Sequence, residues 1–124
     1  MKPLSIVVCQ SDSRLAQSLA ASLCNYFRSV QVLSSVEEVR TAALRRRADV
    51  AILDMEMACL PEVERLHRDF SGLCIVCTHR LADEEMWTAV LNAGASDICH
   101  SADTQGILMA ALRNAKAVTH GIAA

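Results

Sequence analysis

The chain has 124 residues, 12 basic and 14 acidic side chains for a net charge of −2, and 52% apolar against 21% charged residues. That length carries one core and excludes a second, and the balance excludes a disordered chain. The near-neutral charge excludes a broad basic field that would hold nucleic acid by counterion release, and no apolar run approaches the roughly 18 residues of a membrane helix.

The opening, MKPLSIVVCQSDS, turns polar at Gln10, too soon for a secretory signal. Aromatic residues are only 3%, so the core is aliphatic. From there a short apolar run followed by a helical pattern recurs five times. The runs are 4–9 (LSIVVC), 29–33 (SVQVL), 49–53 (DVAIL), 73–78 (LCIVCT) and 96–99 (SDIC). The first, third and fourth are almost continuously apolar, as strands covered on both faces are. The second partly alternates, as an edge strand does.

The first helix is predicted from Ser13 to Phe27, with Leu15, Leu19, Leu23 and Phe27 four apart on one face. The second opens at Ser35, with Glu38 three residues later in a capping-box pattern. It places Val36, Val39, Ala43 and Leu44 on one side. It ends in Arg45, Arg46 and Arg47, cations that the helix dipole favours there. Nothing in the neighbouring sequence extends that triplet into a nucleic-acid patch. The third helix is short, about Pro61 to His67, with proline early. The fourth spans about Ala82 to Asn92, with Asp83, Glu84 and Glu85 in its first turn and Gly94 as its stop. Asp103 caps the fifth, whose apolar stripe is Ile107, Leu108, Ala111, Leu112 and Ala115, and the tail from Thr119 to Ala124 is expected to fray.

Six cysteines at 9, 24, 59, 74, 77 and 99 lie inside apolar segments. They read as reduced, small hydrophobes of a cytoplasmic protein. Cys74 and Cys77 lie within one predicted strand, where residues three apart face opposite ways, a poor geometry for a disulfide.

Five alternations of strand and helix predict a single α/β domain over 1–124, a flavodoxin-like, doubly wound five-stranded parallel sheet of order 2-1-3-4-5 with five helices. A site in such a sheet lies at the carboxyl ends of the strands. The residues there are Cys9, Gln10, Ser11 and Asp12, then Asp54 and Glu56, Thr78 and His79, and His100 and Ser101. Asp54 breaks its apolar run most conspicuously. It is either a reactive carboxylate or an Asp that begins a loop or caps a turn. No glycine-rich phosphate loop and no Ser/His/acid set is present.

Across Ser5 to about Ala117 the sequence resembles the receiver domain of bacterial two-component response regulators. The stretches that carry the likeness are IVVCQSDSRLAQSLAASL, RADVAILDMEM, CIVCTHRLADEEMWTAVLNAGASDI and DTQGILMAALRNA. The resemblance implies that Asp54 is the phospho-acceptor, that Thr78 is the switch hydroxyl, and that LNAGASD turns into the fifth strand. It also implies partners: a kinase, an effector domain or another signalling protein, and a homodimer through the fourth-helix to fifth-helix face. Composition and charge lead us to expect neither a membrane nor nucleic acid as a direct partner.

Several family positions hold other residues. The two acids that bind Mg²⁺ after the first strand fall on Gln10 and Ser11, with Asp12 one residue late. The lysine after the fifth strand falls on Ser101, the aromatic switch on Ile98, and the proline after the acceptor is displaced to Pro61. Metal ligation is left to Asp12, Asp54 and the backbone carbonyl of Glu56, so Mg²⁺ is expected to bind weakly. These losses point to a pseudo-receiver, a non-enzymatic signalling module with a degenerate site. One alternative is a receiver that accepts phosphate at Asp54 with Mg²⁺. Another is a metal- or redox-sensing domain built on Cys9, Cys59, Cys77, His79, Cys99 and His100.

Overall fold

The computed structural model describes residues 4–123. Met1–Pro3, part of the opening read above, and Ala124, the last residue of the predicted tail, lie outside them. The elements alternate as expected: β1 (Ser5–Cys9), α1 (Ser13–Leu23), β2 (Ser29–Leu33), α2 (Val36–Leu44), β3 (Val50–Asp54), α3 (Leu60–Asp69), β4 (Cys74–His79), α4 (Glu84–Asn92), β5 (Asp97–His100) and α5 (Thr104–Ala123). The strands form one parallel sheet of order β2-β1-β3-β4-β5, the predicted flavodoxin-like topology.

Period-two alternation divides the core between the two faces of the sheet. Val7 and Cys9 of β1, Ala51 and Leu53 of β3, and Ile75 and Cys77 of β4 lie on one face, with Val39 of α2, Val63 and Leu66 of α3, and Val90 of α4. Ile6, Val8, Val50, Ile52 and Val76 lie on the other, with Leu19 and Leu23 of α1 and Ile107, Ala110 and Ala111 of α5. Both faces of the central strands are covered, which is why their sequences read as unbroken apolar runs. Cys74 and Cys77 sit on opposite faces.

Several predicted boundaries need correction. Helix α1 stops at Leu23, not Phe27: residues 24–27 form a turn in which the amides of Tyr26 and Phe27 both donate to the Leu23 carbonyl. Phe27 still drops into the α1/α5 side of the core, so its spacing is right and its conformation is not. Helix α3 is longer than predicted: Leu60 joins its start, where Glu62 accepts the Cys59 amide at 2.9 Å, and Arg68 and Asp69 extend its end. Helix α4 begins at Glu84, with Asp83 as its N-cap accepting from the Met86 amide at 2.9 Å. The capping box of α2 is displaced: Ser35 Oγ accepts from Glu38, whose carboxylate accepts from the Ser34 amide instead of that of Ser35. Helix α5 runs to Ala123, through the segment expected to fray. Cys24 and Cys59 are exposed at helix ends, so only part of the cysteine set is core.

Leu44 is 66% exposed, not on the core side. The cause is helical phase: Leu44 lies five residues, about 140° of turn, beyond the buried Val39. The helix closes just after it: the Arg46 amide donates to Ala43 and the Arg47 amide to Ala42 at 2.8 Å, a Schellman closure. It requires a left-handed residue, and Arg46 takes that role at φ +56°. A side chain there costs about 1–2 kcal/mol, while glycine loosens the unfolded chain by roughly 0.4–1 kcal/mol. Arg46→Gly is therefore expected to stabilise the domain by about 0.5 kcal/mol in denaturant titrations; a loss of stability would contradict this geometry.

Candidate functional site

Parity along the strands assembles the site. Asp54 pairs with Thr78 in register, and extending the β1–β3 register past Cys9↔Leu53 brings Gln10 level with Asp54. All three have the parity of Val8, Ile52 and Val76, so they fall in a row at the carboxyl ends of the strands, on the α1/α5 face. Each is buried: Gln10 is 6% exposed, Asp54 2% and Thr78 0%.

Asp54 is held by neutral donors. Ser11 donates to Oδ2 twice, from its backbone amide at 2.9 Å and from Oγ at 2.6 Å, and the Glu56 amide donates to Oδ1 at 2.9 Å. The Asp54 carbonyl accepts the amides of Met57 and Ala58. The carboxylate thus also serves as the turn-capping Asp that the local sequence allowed, closing the β3–α3 turn onto the residue two positions on. Among the described residues it is the only buried acid.

Around it, Gln10 reaches across β3 to Thr78. Gln10 Nε2 donates to Thr78 Oγ1 at 3.0 Å, and Thr78 Oγ1 donates to Gln10 Oε1 at 3.2 Å. Asp12 takes no part: it caps α1, accepting from the amides of Arg14 at 2.9 Å and Leu15 at 3.4 Å. Glu56 lies 3.3 Å from Ser11 Oγ, whose single proton goes to Asp54, and pairs with Arg80. Ile98 is buried on the α2–α4 side of the sheet. Ser101 is buried, its amide donates to His79, and its Oγ has no hydrogen-bond partner. A hydroxyl so placed costs about 1–3 kcal/mol.

The Gln10–Thr78 bridge and the Arg80–Glu56 pair escape a reading of local sequence. Strand parity foreshadows the first; nothing foreshadows the second, whose partners sit on separate loops.

These donors fit a divalent cation poorly. Mg²⁺ takes octahedral oxygen ligands and usually one or two carboxylates. Here one buried carboxylate already accepts three hydrogen bonds, and Asp12 is committed to its helix. Among the described residues no group of three His, Cys, Asp or Glu side chains could hold a metal.

The cysteine and histidine alternative meets the same obstacle. His79 Nδ1 accepts the Leu81 amide and His100 Nδ1 the Ala102 amide. Cys77 and Cys99 lie on opposite sides of the sheet. Burial pushes the thiol of Cys77 up to about 12 and that of Cys99 to about 11. Burial and then the Asp54 charge raise Cys9 to about 11. These thiols stay protonated and unreactive at neutral pH.

Cys24 and Cys59 are therefore expected to label first in native protein, with six free thiols counted after unfolding. The sign of the linkage is also fixed. The fold keeps protons that the unfolded chain releases above about 9, so this stability is full below pH 9 and is lost as pH rises through about 11. A thermal midpoint that did not fall between pH 9 and 11 would contradict this, as would a disulfide in freshly purified protein.

No family model matches the chain, and no curated relative matches it by sequence. Solved structures do match. NtrX from Brucella abortus, solved in complex with ADP, superposes with a TM-score of 0.84 at 15% identity over 98% of this chain; the match spans 28% of the NtrX chain. The N-terminal signal receiver domain of a two-component response regulator from Bacteroides fragilis gives 0.78 at 26% identity, covering 90% of this chain and 95% of that one. CheY of Borrelia burgdorferi, in a complex with CheX, BeF₃ and Mg²⁺, gives 0.76 at 13% identity over 90% and 89%.

Proposed function

Because this chain has the fold of a response regulator receiver domain, we propose that residues 1–124 form a non-enzymatic signal-transduction domain with a degenerate phosphorylation site that acts by protein contact. One observation carries this: the two residues following β1, where receivers hold acids, are Gln10 and Ser11, and they are turned to hydrogen bonds with Thr78 and Asp54. Phosphoryl transfer develops charge that must be neutralised. At the acceptor position this chain offers one carboxylate and neutral donors, and at the lysine position a serine hydroxyl, which cannot replace an ammonium.

The same reading places the domain in the cytoplasm, in keeping with six free thiols. Among the described residues no helix is long and apolar enough to cross a membrane. Its input is a kinase or another signalling protein, and its output an effector.

The face for output and for a homodimer is α4 to α5. Trp87 of α4 and Met109 of α5 are each 48% exposed, and Met86 of α4 is half-buried against the core. Sedimentation over a concentration series should reveal a dimer that Trp87→Ala weakens. A monomer at all concentrations, unaffected by the substitution, would remove this face from the proposal.

Beryllofluoride binding tests the degenerate site. We expect no Mg²⁺-dependent change in the Thr78 amide resonance when the wild-type chain is titrated. A saturating, Mg²⁺-dependent shift would favour the phosphorylation-competent alternative.

A further inference from the structure

Strand β2 closes the sheet on one side and pairs only with β1. Exposed strand edges are usually guarded by an inward charge, a proline or a bulge. The β2 sequence, SVQVL, contains neither charge nor proline, and its shortness is its one guard. Val32 is 46% exposed at this edge. Alternation sends Val30 and Val32 to the α1 side, where Val30 packs on the core. It sends Gln31 and Leu33 to the α2 side, where they line a groove of about 220 Å³ with Thr41, Ala42, Arg45 and Arg47.

Among the described residues, three arginines beside this edge make no ion pair. Arg40, Arg68, Arg80 and Arg113 each pair with a carboxylate, whereas the guanidinium groups of Arg28, Arg45 and Arg47 pair with none among the described residues. Glu38, the acid of the groove, is engaged with the Ser34 amide. Arg28 immediately precedes β2, and Arg45 and Arg47 lie just before β3. In a parallel sheet these positions share the end where the strands begin. Arg28 puts a further cation at that end of the sheet. Asp49, at the same end, is committed to the Ser5 amide at 2.8 Å.

We propose that the β2 edge is a docking site for an extended acidic segment of a partner protein, which adds to the sheet as a sixth strand. Backbone hydrogen bonding along β2 supplies affinity, and alternate side chains supply specificity. Aliphatic residues at one parity cover Val32, while carboxylates at the other parity meet Arg45 and Arg47. A second copy of this chain fits poorly, because β2 carries no acidic side chain to meet Arg45 and Arg47.

The test is a ¹⁵N-labelled titration of the whole chain with a capped short peptide alternating Glu and Val. The amides of 29–33 should shift and exchange more slowly with solvent. Arg45→Glu with Arg47→Glu, both on the exposed surface, should weaken binding roughly tenfold, as expected for the loss of two exposed ion pairs and their replacement by repulsion. Proline in place of a central Val of the peptide should abolish it. The proposal is overturned if millimolar peptide leaves 29–33 unmoved or if a Lys–Val peptide binds equally well. It is equally overturned if a single-stranded oligonucleotide binds these arginines more tightly, or if β2 is occupied by self-association instead.

Discussion

Combining Gln10→Asp, Ser11→Asp and Ser101→Lys is expected to give the chain Mg²⁺ binding and to speed acetyl-phosphate-driven modification of Asp54 by orders of magnitude. Each contact to developing charge is worth roughly 3 kcal/mol, and about 1.4 kcal/mol is tenfold in rate. One restored contact therefore predicts ~10²-fold and two predict ~10⁴-fold. Two changes in the structure make this reasonable. Ser11→Asp removes the hydroxyl that now saturates Asp54 Oδ2 from 2.6 Å, and Gln10→Asp releases Thr78 from its amide bridge. Ser101→Lys replaces a buried hydroxyl that has no hydrogen-bond partner to lose. Intact-mass time courses, with Asp54→Asn added as a control, read the result. A triple variant that folds, as judged by its thermal transition, but gains neither Mg²⁺ binding nor rate would refute the claim that missing charge is what disables the site.

Gly94→Ala should be severely destabilising. Gly94 closes α4 at φ +108°, its amide donating to Leu91 while Ala95 donates to Val90. An added Cβ would lie 2.3 Å from His67 Cγ and 2.4 Å from Cδ2, on the facing helix α3. A left-handed side chain costs about 1–2 kcal/mol and overpacking about 1–3 kcal/mol. The sum is about 2–5 kcal/mol, a fall in melting temperature on the order of 10 °C. A cycle with His67→Gly, which removes the His67 Cβ at 2.8 Å as well as the ring, separates the two: the double variant should recover the packing part and retain the backbone part. Full recovery would show that the backbone conformation carries no strain. The site depends on this junction, because Gly94 sets how α4 passes into β5, the strand that leads to Ser101.

The strands were legible because both of their faces are buried, which leaves unbroken apolar runs and needs no knowledge of partners. Helix ends were less so, because a four-residue spacing does not register when the backbone leaves the helix: Phe27 keeps its place in the core from a turn. Leu44 is exposed because its helical phase turns it away from Val39. Within the site, Asp54 and Thr78 stood out as polar ends of apolar strands, and strand parity aligns Gln10 with them. The destinations of Asp12 and Arg80 could not be read. Asp12 had a choice between the pocket and its own helix N-terminus, and the local amides of Arg14 and Leu15 take it. Arg80 meets Glu56 only through the approach of two loops.

The central claim is that Asp54 sits at the acceptor position without the charge that would make it an acceptor. Incubating the wild-type chain with acetyl phosphate and Mg²⁺, and weighing it intact beside Asp54→Asn, tests this most directly. Both proteins should stay at their starting mass. A rapid gain of about 80 Da, the mass of one phosphoryl group, in wild type and not in Asp54→Asn would contradict it.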